Sequence, residues 1–187
     1  PPSAKRLFPI GRLDYDTEGL LLLTNDGDLA NKLTHPSNEV SKTYIARISG
    51  KLEDADVRQL EKGVMVDGKG TAPAIVKVLE GDVHHTRVEI TIHEGRNRQI
   101  KKMFEAVGKE VEFLKRVAVG DLHLGGLQRG KYRFLTDKEV YDIEKRAMGA
   151  GLKLLRSGVR HLGTEVNLKL LANIYETMKP HIDYAFQ

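Results

Sequence analysis

The sequence is organised around one stretch near its start, Gly11-Arg12-Leu13-Asp14-Tyr15-Asp16-Thr17-Glu18-Gly19, followed by Leu20-Leu21-Leu22-Leu23-Thr24-Asn25-Asp26-Gly27. The four leucines form a short apolar run between turn signals, which indicates a buried strand. The glycine-bounded loop before them carries two carboxylates, at Asp14 and Asp16. A loop anchored to a buried strand can hold a carboxylate rigidly, as a catalytic site requires. An ordinary turn with solvated acidic side chains explains the spacing equally well.

The composition is typical of a soluble globular protein. The chain has 187 residues, of which 40% are hydrophobic and 30% charged. No apolar run approaches the roughly 18 residues that a membrane span needs, and no signal peptide is visible. The absence of cysteine excludes disulfides, thiolate nucleophiles and cysteine-based zinc sites, and it fits a cytoplasmic protein. A net charge of +4 is compatible with a polyanionic partner but does not establish one.

Apolar periodicity predicts an α+β layout, with helices grouped against a largely antiparallel sheet. The predicted helices span 28–35, 53–62 and 96–108, with a fourth that begins at Thr136, where Glu139 completes a capping box. The predicted strands span 20–23, 41–50, 64–68, 74–79, 86–92, 111–116, 122–124 and 132–135.

The opening stretch, written Gly-Arg-Leu-Asp-x-Asp-Thr-x-Gly-Leu-Leu-Leu-Leu-Thr-Asn-Asp-Gly, resembles the signature of the bacterial ribosomal pseudouridine synthases of the small-subunit type. That family also includes several large-subunit enzymes. The resemblance implies the pseudouridine synthase fold, a mixed and mostly antiparallel sheet with helices packed on it and a central active-site cleft. It also implies that Asp14 is the catalytic residue.

A second segment, Lys42-Thr43-Tyr44, is similar to the Lys-x-Tyr pattern of the same family. On its own, a tyrosine in a strand is usually a core or edge aromatic whose hydroxyl group is hydrogen-bonded. The resemblance implies that Tyr44 packs on the target base and takes part in proton removal.

A third segment, 94–103, places Arg96, Arg98, Lys101 and Lys102 within seven positions. Such a run is normally a solvated helix face, although a helix N-terminus also favours phosphate. The segment resembles the family motif Gly-x-x-x-Gln-[Ile/Val]-[Lys/Arg]-[Arg/Lys]-Met. The resemblance implies that Lys101 forms an ion pair with Asp14 and keeps it deprotonated. The residues that we expect to contact RNA are Arg12, Thr17, Lys42, Arg96, Arg98, Gln99 and Lys102.

The resemblance covers about residues 7 to 145. The family usually carries a small N-terminal RNA-binding domain and an Asn-Lys-Pro strand, and neither is present in this sequence. Residues 149–187 match nothing in the family, and their apolar spacing suggests two more helices, over 152–159 and 168–175. We therefore predict a catalytic domain over 1–148 and a helical extension over 149–187.

The sequence predicts a monomeric, cytoplasmic rRNA pseudouridine synthase, closest to the large-subunit enzymes, with ribosomal RNA as its partner. The histidine spacings predict no metal, the glycine-rich turns predict no nucleotide cofactor, and nothing predicts a membrane partner. One alternative is a catalytically idle RNA-binding or ribosome-assembly module with the same fold. Another is a hydrolase that uses Asp14 and Asp16. This is disfavoured because glycosidase carboxylates come from opposite walls, about 5–9 Å apart.

Overall fold

The computed structural model describes residues 6–34, 40–149 and 169–172 of the chain. The helices are α1 (Gly27–Thr34), α2 (Asp54–Lys62), α3 (Gln99–Ala106) and α4 (Asp137–Gly149). The strands are β1 (Phe8–Ile10), β2 (Glu18–Thr24), β3 (Lys42–Ser49), β4 (Met65–Val66), β5 (Lys69–Gly70), β6 (Ile75–Gly81), β7 (His85–Ile92), β8 (Val111–Val119), β9 (Leu122–His123), β10 (Tyr132–Phe134) and β11 (Lys169–Ala172). The α+β class is confirmed, and β2–β8 is the one parallel pair among the strands described.

The chain divides into two compact units. The first is built from the described residues within 1–12, 20–38 and 126–187, and the second from those within 13–19 and 39–125. Strand β2 begins in the second unit and continues into the first. The predicted division into a catalytic domain over 1–148 and an extension over 149–187 stays a prediction.

The second unit is a sheet in the order β8-β3-β7-β6, with β9 and the first residues of β2 also paired to β8. Strand β3 is internal because it pairs with β7 along its whole length and with β8 on its other side. Alternate residues of these strands are apolar, so one face of the sheet is buried. The core joins that face to α2 and α3 and contains Ala46, Ile48, Leu60, Val88, Ile90, Ile100, Met103 and Phe104.

Helix α3 begins three residues later than predicted. Arg98 has φ +50°, in the left-handed region, so the residues before Gln99 cannot continue the helix. The apolar spacing is correct, since Ile100, Met103 and Phe104 are all buried. The helix is therefore fixed by its packed face, while its first turn is set by the preceding loop.

In the first unit, the leucine strand β2 lies between β1 and β11 and pairs antiparallel with both. Leu20 and Leu22 are fully buried, which confirms the prediction of a buried strand. Helix α1 follows at once, because Asp26 Oδ1 accepts hydrogen bonds from the N–H groups of Asp28 and Leu29. No helix among the described residues is long and apolar enough to cross a lipid bilayer.

The prediction of a helix over 168–175 is wrong at Lys169–Ala172, which form strand β11. These residues pair with both β2 and β10. A short apolar run such as Leu170-Leu171 has no periodicity that separates helix from strand. The free edge of a neighbouring strand then decides the conformation, since its backbone groups need partners. The helix predicted over 152–159 lies outside the described residues.

Candidate active site

The turn that carries the two carboxylates is well defined. The N–H of Thr17 donates to the carbonyl oxygen of Asp14 at 2.9 Å, which closes a four-residue turn. Asp14 is half-buried, while Tyr15 and Asp16 at the tip are exposed. Thr17 is buried, and its hydroxyl has no hydrogen-bond partner among the described residues. The turn therefore presents the Asp14 carboxylate from a closed backbone, while the predicted RNA contact of the buried Thr17 stays a prediction.

Gly19 anchors the far end of this turn. It pairs with Arg116 of β8 and has φ +110°. A Cβ at this position would overlap the carbonyl oxygen of Arg116 and lie 2.8 Å from its backbone nitrogen. The close approach of β2 to β8 therefore requires glycine, which explains the glycine five residues after Asp14.

The structure corrects the predicted partner of Lys101. Its ammonium group forms an ion pair with Oδ2 of Asp16. In the part of the chain that the structure describes, no ion pair within 4.0 Å joins Lys101 to Asp14. The hydrogen bond from Lys101 is the main reason that the pKa of Asp16 lies below its usual value; the charges of Lys101 and Arg98 also lower it. The resemblance thus brings the correct lysine to the correct turn, but onto the second carboxylate.

Tyr44 lies on β3, opposite Arg116 of β8 and Ile90 of β7. It is half-buried and packs against the core of the second unit. The β3–β8 ladder shifts register between Thr43 and Tyr44. Such irregularities re-aim side chains and are frequent near active sites. Because Arg116 is the rung shared with Gly19, β8 connects the strand of Tyr44 to the strand that follows Asp14.

Arg116 is a candidate site residue that the sequence pattern did not single out. Its side chain is buried, at 3% exposure, between the core positions Leu114 and Ala118 of the same strand. The signal was available, since an arginine that occupies an inward position of an apolar alternation rarely lacks a role. A buried guanidinium adds a permanent positive charge to this part of the sheet.

Lys42 lies near Arg116 on the sheet. Its ammonium group donates to the carbonyl oxygen of Val40 at 3.0 Å. Burial lowers the pKa of Lys42, and repulsion by the Arg116 charge lowers it further. The two cations together make this region favourable for an anion.

Arg96, predicted to bind phosphate, is engaged within the protein. Its guanidinium donates to Glu94 Oε2 at 3.2 Å and to the carbonyl oxygens of Lys69 and Gly70 at 3.2 and 2.6 Å. These contacts hold the β4–β5 hairpin against the start of α3. They favour a structural role for Arg96 over the predicted phosphate contact.

Gln99 is held inside the protein, and its predicted contact with RNA stays a prediction. It is 3% exposed. Its Oε1 accepts from the N–H of Arg96 at 2.9 Å, and its Nε2 donates to Glu94 Oε1 at 2.5 Å. Glu94 Oε1 in turn accepts from the N–H of Ala72 at 3.0 Å. A buried amide that is hydrogen-bonded at both ends is typical of a structural residue.

The remaining basic residues differ in their exposure and in their contacts within the protein. Lys102 forms an ion pair of 2.6 Å with Asp67 at the tip of the hairpin. Arg12 and Arg98 are exposed. Within the described ranges, the Arg98 guanidinium makes no hydrogen bond or ion pair, so Arg98 is the basic residue of the 96–102 segment best placed to contact a phosphate.

A family model described as RNA pseudouridylate synthase matches residues 1–106. The chain belongs to this family. It is 51% identical over 138 residues to the ribosomal large subunit pseudouridine synthase B of Bacillus subtilis, covering 73% of this chain and 57% of that protein. It is 44% identical over 126 residues to the protein of the same name from Shigella flexneri, covering 67% of this chain and 43% of that protein.

A solved structure supports the fold of this synthase family member. A crystal structure of a pseudouridylate synthase superposes with a TM-score of 0.68 at 37% identity, covering 73% of this chain and 59% of that chain. The chain thus spans less than two thirds of the relatives that it matches. The predicted pseudouridine synthase fold is confirmed.

Proposed function

We propose that this chain isomerises a uridine of ribosomal RNA to pseudouridine. The observation that carries the proposal is the Asp14 turn, which is closed by the Thr17 hydrogen bond and anchored by Gly19 in a chain of the synthase family. The printed name of the Bacillus subtilis relative supports a large-subunit rRNA substrate. We propose that the protein acts as a monomer in the cytoplasm, where that RNA is found.

The reaction needs no redox partner. The bond between N1 of uracil and C1′ of the ribose breaks, the base turns, and a bond between C5 and C1′ forms. The proton on C5 leaves and N1 gains one, so atoms and charge balance without a cofactor. A carboxylate can serve as nucleophile at the sugar or as electrostatic partner of the developing charge. Asp14 supplies that carboxylate.

The surrounding residues fit the steps before and after bond cleavage. A uridine must leave its stack to reach a half-buried carboxylate, so the base is flipped. Tyr44, half-buried and one rung from Gly19 across β8, offers an aromatic face for the flipped base and a hydroxyl for proton removal. Arg12, Lys42 and Arg98 supply charge for the RNA backbone, whose phosphates are held without regard to sequence.

The experiment incubates the chain with deproteinised large-subunit rRNA and maps pseudouridine by carbodiimide modification and primer extension. We expect one new stop, at one uridine, that depends on the protein. A parallel filter-binding measurement on the same RNA separates the outcomes. Binding without a new stop would replace the proposal with an idle RNA-binding module, and absence of both would remove rRNA as the partner.

A further inference from the structure

The ion pair between Lys101 and Asp16 joins a helix packed in the core to an exposed turn. Lys101 belongs to α3, whose Ile100, Met103 and Phe104 are fixed in the core. Its side chain is only 14% exposed, whereas that of Asp16 is 52% exposed. A mostly buried ammonium without a partner is costly, so this pair has more consequence than a pair on the open surface.

The pair tethers the turn from a second direction. Downstream, Gly19 locks the chain onto β8. At the tip, Asp16 locks it onto α3. The hydrogen bond from Thr17 to Asp14 spans Asp16, so the first anchor lies inside the turn and the second directly follows it. The backbone of Asp14 therefore depends on both, because a turn held at one end alone is free to rotate.

We propose that Asp16 is a positioning residue, whose ion pair with Lys101 fixes the turn that presents the Asp14 carboxylate. The inference rests on the proposed function for its kinetic consequence. Asp16 does not touch the reacting atoms in this account; it acts through the backbone of the turn. Lys101 holds the turn through this ion pair.

The kinetic test is a double-mutant cycle of Asp16→Asn and Lys101→Met under single-turnover conditions with saturating protein. We expect each variant to lower the rate constant of pseudouridine formation by about tenfold or more, with the RNA dissociation constant changed by less than about threefold. The double variant should lose no more than the worse single variant, since both remove one contact. Asp16→Glu should recover part of the rate.

The matched control is Asp67→Asn. It removes the carboxylate that pairs with Lys102, the next residue on the same helix, and asparagine tolerates the left-handed backbone of Asp67 at φ +51°. It should leave the single-turnover rate within about twofold of the wild type, because its ion pair holds the hairpin and not the turn.

A structural measurement tests the tether without any activity. Hydrogen exchange followed by NMR should show the Thr17 amide exchanging about tenfold faster in Asp16→Asn and in Lys101→Met, and unchanged in Asp67→Asn. Carboxyl titration should show the pKa of Asp16 rising in Lys101→Met. An unchanged Thr17 amide, or losses that multiply in the double variant, would overturn the proposal. An inactive wild type with the expected exchange pattern would instead count against the proposed function alone.

Discussion

At the scale of single residues, Gly19 decides whether the catalytic turn can exist. Its positive φ excludes most side chains, and the carbonyl oxygen of Arg116 occupies the place of a Cβ. Neither property follows from the sequence, where Gly19 is only the second glycine that bounds a loop. The backbone of β8 must be in place before the requirement becomes visible.

We expect Gly19→Ala to destabilise the fold by about 3–5 kcal/mol, since strain and overlap with main-chain atoms add. The control is Gly108→Ala, which has φ +72° but open space around the new Cβ. It should cost about 1–2 kcal/mol from backbone strain alone. Urea unfolding followed by far-ultraviolet circular dichroism measures both. Equal losses for the two variants would show that β2 and β8 do not approach as closely as described.

At the scale of elements, the first turn of α3 separates two arginines that look alike in the sequence. The Arg96 guanidinium donates hydrogen bonds to Glu94 and to the β4–β5 hairpin, whereas Arg98 is exposed beside the Asp14 turn. The left-handed backbone at Arg98 keeps both arginines in the loop before α3, so the contacts of that loop set the direction of each side chain and helical periodicity does not.

We expect Arg98→Ala to make RNA binding less dependent on salt. The slope of the logarithm of the association constant against the logarithm of salt concentration should fall in magnitude by about one, because one phosphate contact is lost. Arg96→Ala should leave the slope unchanged. It should lower the free energy of unfolding by about 1–3 kcal/mol, because the hairpin carbonyl groups lose their hydrogen-bond donor. RNA titrations at several salt concentrations and urea unfolding of both variants measure these effects. A reversal of the two results would return Arg96 to the RNA surface.

The start of α4 contributes to the stability of the fold in a pH-dependent way. Arg133 donates to both carboxylate oxygens of Glu139 at 2.8 and 2.7 Å, and the N–H of Thr136 donates at 2.8 Å. The Arg133 hydrogen bonds are the main reason that the pKa of Glu139 falls to about 2. A lowered pKa means that the stabilisation is complete above the unfolded value near 4.5 and is lost as pH falls through about 2.

We expect Glu139→Gln to lower the free energy of unfolding by about 1 kcal/mol at neutral pH, a value reduced for the partial exposure of the pair to solvent. The difference from the wild type should shrink as pH falls below about 4.5 and vanish below about 2. Urea unfolding across that pH range measures it. Glu61→Gln, on the exposed side of α2, is the control. A difference that persists undiminished at the lowest pH would show that charge is not its source.

At the scale of the whole molecule, the sequence predicts what local patterns determine. The buried leucine strand, the core face of α3, and the Thr136–Glu139 capping box all follow from periodicity and capping chemistry, and all are confirmed. The sequence pattern predicts the short strands β4, β9 and β10 but not β1, β5 or β11, whose pairing depends on a neighbouring edge more than on their own residues.

The sequence predicts which segments form the site, but it does not predict which side chains in those segments contact one another. The signature brings the Asp14 turn, Tyr44 and the 96–102 segment into the second unit together. Which carboxylate receives Lys101, and whether an amide such as Gln99 faces outward, depends on how the loop before α3 is folded. Those choices are tertiary, so a spacing of residues along the chain cannot decide them.

The central claim is that the Asp14 carboxylate carries out uridine isomerisation. Its most direct test compares wild type with Asp14→Asn in one single-turnover assay of pseudouridine formation on large-subunit rRNA. The account predicts a loss of at least about 1,000-fold, with RNA affinity and thermal stability nearly unchanged, because the amide keeps the shape and removes the charge. Formation within about tenfold of the wild-type rate would remove Asp14 from the mechanism and contradict the account.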